Sequence, residues 1–258
     1  MASTSSALAV GDGTAGPVEV LAGYTVGVLA ADGCDDLAAS LRDYGAEALH
    51  ARIDEALPTR RIVDAIVAGT VDALVVLDAV SASELLAAMQ RLRSGSELRA
   101  ILRDNVVVTC PDNPTSAALS AAGIPVTVPG GAVGSRLDAT AALLAEQVPL
   151  LRGRRCVAAG HDLDVRGQAV VIDQRLCRLP ATAMALLRAL AQQPGHVVSR
   201  ERLLALLPGV GGTPTGEAGK GRVSGHAVDV AIGRLRTALG DPAIIATVVK
   251  RGYRLAVA

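Results

Sequence analysis

Hydrophobic and polar positions alternate along this chain in two different rhythms. From Tyr24 onward, short apolar runs trade places with helix-period stretches. "YTVGVLA" reads as a strand and "DDLAASLRDYG" as an amphipathic helix closed by Gly45. "AEALHAR" supplies a second strand, followed by a helix from about Pro58 to Ala68; "DALVVLD" is a buried strand and "SASELLAAMQRLR" a helix. "NVVVTC" and "IPVTVP" give two more strands around the helix "PTSAALSAAG", and "SRLDATAALLAEQV" closes the segment near Pro149. Five strands alternating with helices predict a doubly wound, flavodoxin-like or Rossmann-like parallel sheet over residues 23–150. The Ser-, Thr-, Gly- and Ala-rich residues 1–22 read as a disordered tail.

A linker is expected over residues 151–163, and the grammar then changes. "HDLDVRGQAVVIDQRLCRL" reads as short antiparallel strands around an Arg-Gly turn. "PATAMALLRALAQQPG" is a helix with Pro180 near its first turn and Gly195 at its end. "SRERLLALLPG" starts on the N-cap Ser199, and "HAVDVAIGRLRTALG" places Val228, Ala231, Leu235 and Leu239 on one face. Between them lies the Gly-rich "VGGTPTGEAGKGR". "AIIATVV" and "YRLAVA" close as a hairpin across the tight turn that Gly252 permits. Three helices followed by a hairpin is the order of a winged helix-turn-helix over residues 164–258, so the fold class is α/β with a winged-helix domain appended.

Composition narrows the chemistry. Phe and Trp are absent and only 3 Tyr occur, so both cores are aliphatic and aromatic platforms for single strands are excluded. The net charge of +0 conceals a division: residues 1–150 carry 9 Lys+Arg against 18 Asp+Glu, and residues 151–258 carry 16 against 7. Such asymmetry suits a chain of which one half meets a polyanion. The 4 Cys and 4 His lack metal-ligand spacing, so neither metal nor cofactor is expected. No basic-then-apolar leader opens the chain and no apolar run spans a bilayer, which points to a cytoplasmic protein away from membranes.

Duplex DNA is the polyanion that a winged helix meets, its last helix lying in the major groove and its hairpin beside it. On that helix His226, Val230, Arg234 and Thr237 lie off the apolar stripe, and Arg234 has the bidentate fork that a guanine edge takes. Arg236 suits a structural or phosphate-facing place. Lys250 and Arg251 crown the hairpin, with Arg254 on the same side or turned to the core. Arg200 and Arg202 open the preceding helix, where backbone phosphate commonly sits.

These residues carry a family resemblance. From Val165 to Ala256 the chain, through "VDV-I-RLR-AL" and "TV-RGYRL", closely resembles the OmpR-type winged-helix domain of bacterial transcription regulators. The resemblance implies double-stranded DNA binding, commonly as a homodimer on repeated half-sites, and an RNA polymerase or partner contact through the loop Gly209–Arg222. Ala231, Gly233 and Thr237 stand where such helices often carry His, Arg and Lys, which implies weaker affinity or sequence preference.

The acidic half is similar to uroporphyrinogen-III synthase through "GYTVGVLAADGCDDLAASLRDYGAEALHA", "RRIVDAIVAGTVDALVVLDAVSASELL" and "NVVVTCPDNPTSAALSAAGIPVTVP". That synthase closes its tetrapyrrole between two such domains, and about 130 residues provide one. Leu77-Asp78 and Asp112-Asn113 replace its Thr-Ser and Gly-Pro, although Thr115 remains. The expectation is therefore a transcription regulator with a degenerate synthase-like sensor or dimerisation domain, not an enzyme. One alternative is retained synthase activity; another is an atypical response regulator phosphorylated at Asp78, although the two Lys of the chain, Lys220 and Lys250, both lie in the other half. Ligands of doubly wound sheets bind at the C-terminal strand ends. A small-molecule effector would meet Asp78, Asp112, Asn113 and Thr115 there, with Gly130, Gly131 and Ser135 offering backbone N–H groups to an anion.

Overall fold

The computed structural model describes residues 18–31, 34–52, 58–91, 95–129, 136–207 and 220–257. The first unit runs β1 (Thr25–Ala30), α1 (Cys34–Asp43), β2 (Glu47–Arg52), α2 (Pro58–Val67), β3 (Ala73–Val76), α3 (Ala79–Arg91), α4 (Gly95–Asp104), β4 (Val107–Thr109), α5 (Asn113–Ala121) and α6 (Arg136–Arg152). Its strands are parallel in the order β2-β1-β3-β4, with Val26 beside Ala48 on one flank and Ala73 on the other. Every residue of β1 and β3 is buried, as continuous apolar runs require when helices cover both faces. Ile62, Ile66, Leu85, Leu98, Leu102 and Leu119 fill one face, and Leu37, Leu41, Leu144 and Val148 fill the other.

The helices start and stop where their polar ends dictate. Asp35 and Asp36 occupy the first turn of α1 and Arg42 its last, each complementing the helix dipole. Gly45, at φ 88°, ends it by donating to the Arg42 carbonyl while Ala46 donates to that of Leu41. Asp112 caps α5 by accepting from the Thr115 N–H at 2.8 Å.

Four features differ from the sequence expectation. The fifth strand is a single bridge, Thr109 to Thr127, because Pro125 and Pro129 flank Thr127 and neither offers an N–H to a ladder. Helix α4 is an addition, held by Leu98 and Leu102 one turn apart. Residues 18–22, expected within the tail, pack on the first unit, where Leu21 is fully buried and its N–H donates to the Tyr44 carbonyl; residues 1–17 lie outside the described residues. The stretch 151–163, expected as a linker, instead ends α6 and continues into paired strands. Helix α6 carries Pro149 in its last turns and stops at Arg152, its end closed by the Gly153 N–H on the Pro149 carbonyl.

The second unit begins with β5 (Arg154–Ala158), β6 (His161–Val165), β7 (Ala169–Ile172) and β8 (Arg175–Arg178), an antiparallel meander. Then follow α7 (Ala181–Ala191), β9 (Val198–Ser199), α8 (Arg200–Leu204), α9 (Lys220–Leu239), a 3-10 turn at Pro242–Ile244, β10 (Ile245–Val248) and β11 (Gly252–Leu255). The last strands form a sheet in the order β10-β11-β9. Met184, Leu187, Leu190, Leu203, Ile232, Leu235 and Leu255 share one core. Among the described residues no helix is long and apolar enough to cross a membrane, and no His, Cys, Asp and Glu cluster is arranged to hold a metal ion.

His161 ties the meander to the segment after α9. Its Nδ1 lies 2.5 Å from Asp173 and its Nε2 3.1 Å from Asp241, whose other oxygen caps the 3-10 turn. The bonds to Asp173 and then Asp241 raise the imidazole pKa, and the same bonds help lower both carboxylates. A raised histidine pKa adds stability that is complete below the unfolded value, about 6.5, and vanishes as pH rises through the folded one. The depressed carboxylates add stability that is lost as pH falls through their own folded values. Thermal melts should therefore separate wild type from His161→Gln most clearly near pH 5 to 6, roughly between the ordinary carboxylate and imidazole values. The gap should narrow at alkaline pH.

Candidate nucleic-acid interface

Helix α9 has two unlike sides. Val228, Ile232 and Leu235 are fully buried and Leu239 nearly so, while Ala231, expected on that stripe, is half-buried beside it. His226, Val230, Gly233, Arg234 and Thr237 are exposed on the remaining surface, at spacings of three or four residues that place them along one side. Val230 retains 40% exposure, and a side chain at Gly233 would meet nothing within 4 Å. The Thr237 hydroxyl donates to the Gly233 carbonyl at 3.1 Å. Arg234 makes no hydrogen bond or ion pair to any described residue.

Other arginines expected at DNA have partners within the chain. Arg236 reaches back to the wing: Nε and Nη2 donate to the Ile245 carbonyl at 3.0 and 2.5 Å, and Nη2 also reaches the Thr247 hydroxyl at 2.9 Å. Arg254 donates to the Gly195 carbonyl at 3.4 Å and so faces the end of α7. Arg200 lies 3.2 Å from Asp229 and 5.0 Å from the centre of the Tyr253 ring, an intramolecular ion pair rather than an open phosphate site. Arg202 is exposed, its guanidinium donating to Gln192 at 2.9 Å.

Tyr253 is the residue that the hydrophobic pattern did not single out. Its hydroxyl donates to Asp229 at 2.5 Å, joining β11 to α9 while Arg200 and Arg236 flank its ring. The tyrosine bond, with help from Arg200, holds the Asp229 carboxyl below its ordinary range, and burial followed by Asp229 pushes the phenol upward. The "GYRL" that marks the hairpin thus contains a polar tip at the right distance from an acid on the helix; pattern alone could not say which acid.

The wing turns at Val248–Arg251, closed by the Arg251 N–H on the Val248 carbonyl at 3.0 Å. Lys250 itself adopts the left-handed conformation, φ 62°, and Val249, Lys250 and Arg251 are exposed, Val249 at 78%. Gly252 was expected to serve the turn. It serves the sheet: its φ is 144°, and a Cβ there would overlap the Val198 carbonyl of β9.

In the first unit, Asp78 ends β3 as the cap of α3. It accepts from the N–H of Ala31 at 2.9 Å and from the N–H and hydroxyl of Ser81 at 2.8 and 3.0 Å. Partial burial works to raise its pKa, but these donors outweigh burial and hold it low. Both carboxylate oxygens thus accept hydrogen bonds, one of them from the loop after β1. Asp112 is likewise a cap with Asn113 beginning α5, and Thr115 is fully buried, its hydroxyl without a partner among the described residues. Gly130, Gly131 and Ser135 lie outside the described residues.

Residues 174–255 match the family model described as transcriptional regulatory protein, C terminal. The chain is similar to the DNA-binding domain of RstA from Klebsiella pneumoniae in complex with the RstA box, at 28% identity over 40% of this chain and 96% of that one, TM-score 0.30. It is similar to the DNA-binding domain of CpxR from E. coli at 30% identity over 40% and 97%, TM-score 0.30. The response regulator DrrB of Thermotoga maritima, an OmpR/PhoB homolog, aligns over 90% of this chain and 99% of its own at 17% identity, TM-score 0.32. No curated protein matches the chain.

Two substitutions probe the helix–wing junction. Gly252→Ala should cost about 1–3 kcal/mol in urea unfolding, the scale of a residue forced into a sparsely populated backbone region. Asp229→Asn should leave the apolar core intact yet lower the melting temperature. It should also release the Tyr253 phenol toward its ordinary pKa, followed by ultraviolet titration.

Proposed function

We propose, from a C-terminal domain that is the DNA-binding winged helix of transcriptional regulators, that this chain controls transcription by gripping duplex DNA with α9 and the wing. Helix α9 enters the major groove, where Arg234 reads a guanine edge and Val230 faces the base edges beside it. Lys250 and Arg251 meet phosphate or the adjoining minor groove. One observation carries this reading: Arg234, Lys250 and Arg251 are exposed and spend no side-chain donor on a described residue, whereas Arg200, Arg236 and Arg254 beside them are paired. The division between an acidic and a basic half supports it.

The first unit is, on this reading, a synthase-like scaffold that senses or dimerises and performs no catalysis. Its single described parallel sheet is half of what a tetrapyrrole cleft between two domains would use. A small-molecule effector at the loops after β3 and β4, pairing of two copies on repeated half-sites, a polymerase contact through Gly209–Arg222 and a cytoplasmic location belong to the same proposal.

Mobility-shift titration against fragments from the chain's own genome tests it. A specific duplex should be retarded, with log affinity falling linearly in log salt. The double variant Lys250→Ala/Arg251→Ala should weaken all duplexes and lower the salt slope by about 2, roughly one for each phosphate that goes unneutralised. Arg234→Ala should cost about 1–3 kcal/mol on the preferred duplex and little on others. Unchanged binding in both variants would refute the assignment of these side chains to DNA.

A further inference from the structure

The turn between β6 and β7 lies far from α9 in sequence and is nevertheless among the best-buried polar segments of the winged-helix unit. The Arg166 guanidinium donates through Nη1 to the carbonyls of Glu19 at 3.0 Å and Ala22 at 2.7 Å, and through Nε to Asp164 at 3.0 Å. Arg166 keeps only 8% of its surface. The Gln168 N–H donates to the Gly23 carbonyl at 2.7 Å and its side chain to the Gly69 carbonyl at 3.3 Å.

Between them Gly167 has no room for a side chain, since a Cβ would overlap the Asp72 carboxylate. Its carbonyl accepts from Arg188 of α7. Asp72 is 3% exposed at the foot of β3, where it accepts the Thr25 N–H at 3.0 Å. Tyr24, fully buried at the foot of β1, lies 5.7 Å from Arg166 across its ring, and Glu47 meets Arg178 at the rim.

Two halves joined by a free tether would leave these charges in water. Burying Asp72 and Arg166 is costly unless each finds partners, and Arg166 finds two carbonyls of the other half while Gly167 packs against Asp72 across the junction. Separation would strand no hydrogen bond in an apolar interior, yet it would undo a tailored fit: a glycine where only a glycine fits and a guanidinium shared between two carbonyls. All of it sits at the N-terminal ends of β1 and β3, the opposite end of the sheet from the loops where ligands of such sheets bind.

We propose that the two halves form one body, fastened by insertion of the Arg166–Gly167–Gln168 turn into a socket at the feet of β1 and β3. The fastening holds the winged helix at a set angle with Arg234, Lys250 and Arg251 facing outward. The N-terminal domain thus regulates by where it places the winged helix and not by covering it. That last consequence rests on the DNA binding proposed above; the fastening itself does not.

Hydrogen exchange and small-angle scattering on the full chain without DNA test the fastening independently of function. In wild type the Gln168 amide should exchange as slowly as interior amides of β1, and the scattering should fit one compact shape at low and high salt. Arg166→Ala should speed exchange at Gln168 about ten- to a hundredfold, the range for losing charge-assisted hydrogen bonds. It should also enlarge the radius of gyration while α9 amides keep their protection. If that variant loses its helical circular dichroism, Gly167→Ala, which keeps every charge, should produce the same two changes. Rapid exchange at Gln168 in wild type, scattering that requires separated halves, or a folded Arg166→Ala or Gly167→Ala chain with both readouts unchanged would overturn the proposal.

Discussion

A helix and a hairpin can read one stretch of duplex only while the angle between them is fixed, and here that angle depends on the contacts of Tyr253 and Arg236. The Tyr253 hydroxyl closes on Asp229, and the Arg236 guanidinium closes on the Ile245 carbonyl. Each joins α9 to a strand of the wing, and each is a directional bond with one ionised partner, stronger than a neutral one. The apolar core beneath supplies adhesion without direction. These polar ties supply the direction, and they consume cations that would otherwise compete for phosphate. Among the described residues the face that remains is sparse: His226, Val230, Gly233, Arg234 and Thr237 on α9, and a wing tip with two cations.

The same economy of charge governs the junction between the halves. Arg166, Arg188 and Asp72 are spent on structure, at a place remote from DNA. Burial raises the Asp72 pKa, while the Thr25 N–H and the arginines Arg152 and Arg188 oppose it; burial likewise lowers that of Arg188 against the pull of Asp72. A buried, hydrogen-bonded cluster of this kind tolerates little rearrangement. The basic excess of the second half therefore overstates the charge available to a polyanion, since part of it faces the first half.

Much of the architecture was legible in the sequence because hydrophobic period follows directly from burial. The runs "YTVGVLA" and "DALVVLD" have no polar alternation because helices cover both faces of β1 and β3. The winged-helix order was legible from Ser199, Pro180 and Gly195, whose backbone preferences act locally. Helix α4 was missed because two leucines a turn apart give a weak signal beside the Arg- and Ser-rich stretch before it. A full fifth strand was expected because apolar content was weighed above the two prolines that flank Thr127. The division of the arginines was legible only in part: Arg234 was expected at the groove and Arg236 in a structural or phosphate-facing place, whereas the pairing of Arg200 with Asp229 was not expected. Whether Arg236 or Arg234 faces outward is settled by helical rotation, about 100° per residue, and by a carbonyl at Ile245 that arrives from a later strand.

Amide hydrogen exchange of the full chain, with and without a specifically bound duplex, tests the central account most directly. Slowed exchange concentrated in α9 from His226 to Thr237 and in the wing from Val249 to Arg251, with the parallel sheet unchanged, is the predicted result. Slowed exchange confined to the first half, or an α9 and wing indifferent to the duplex, would contradict it.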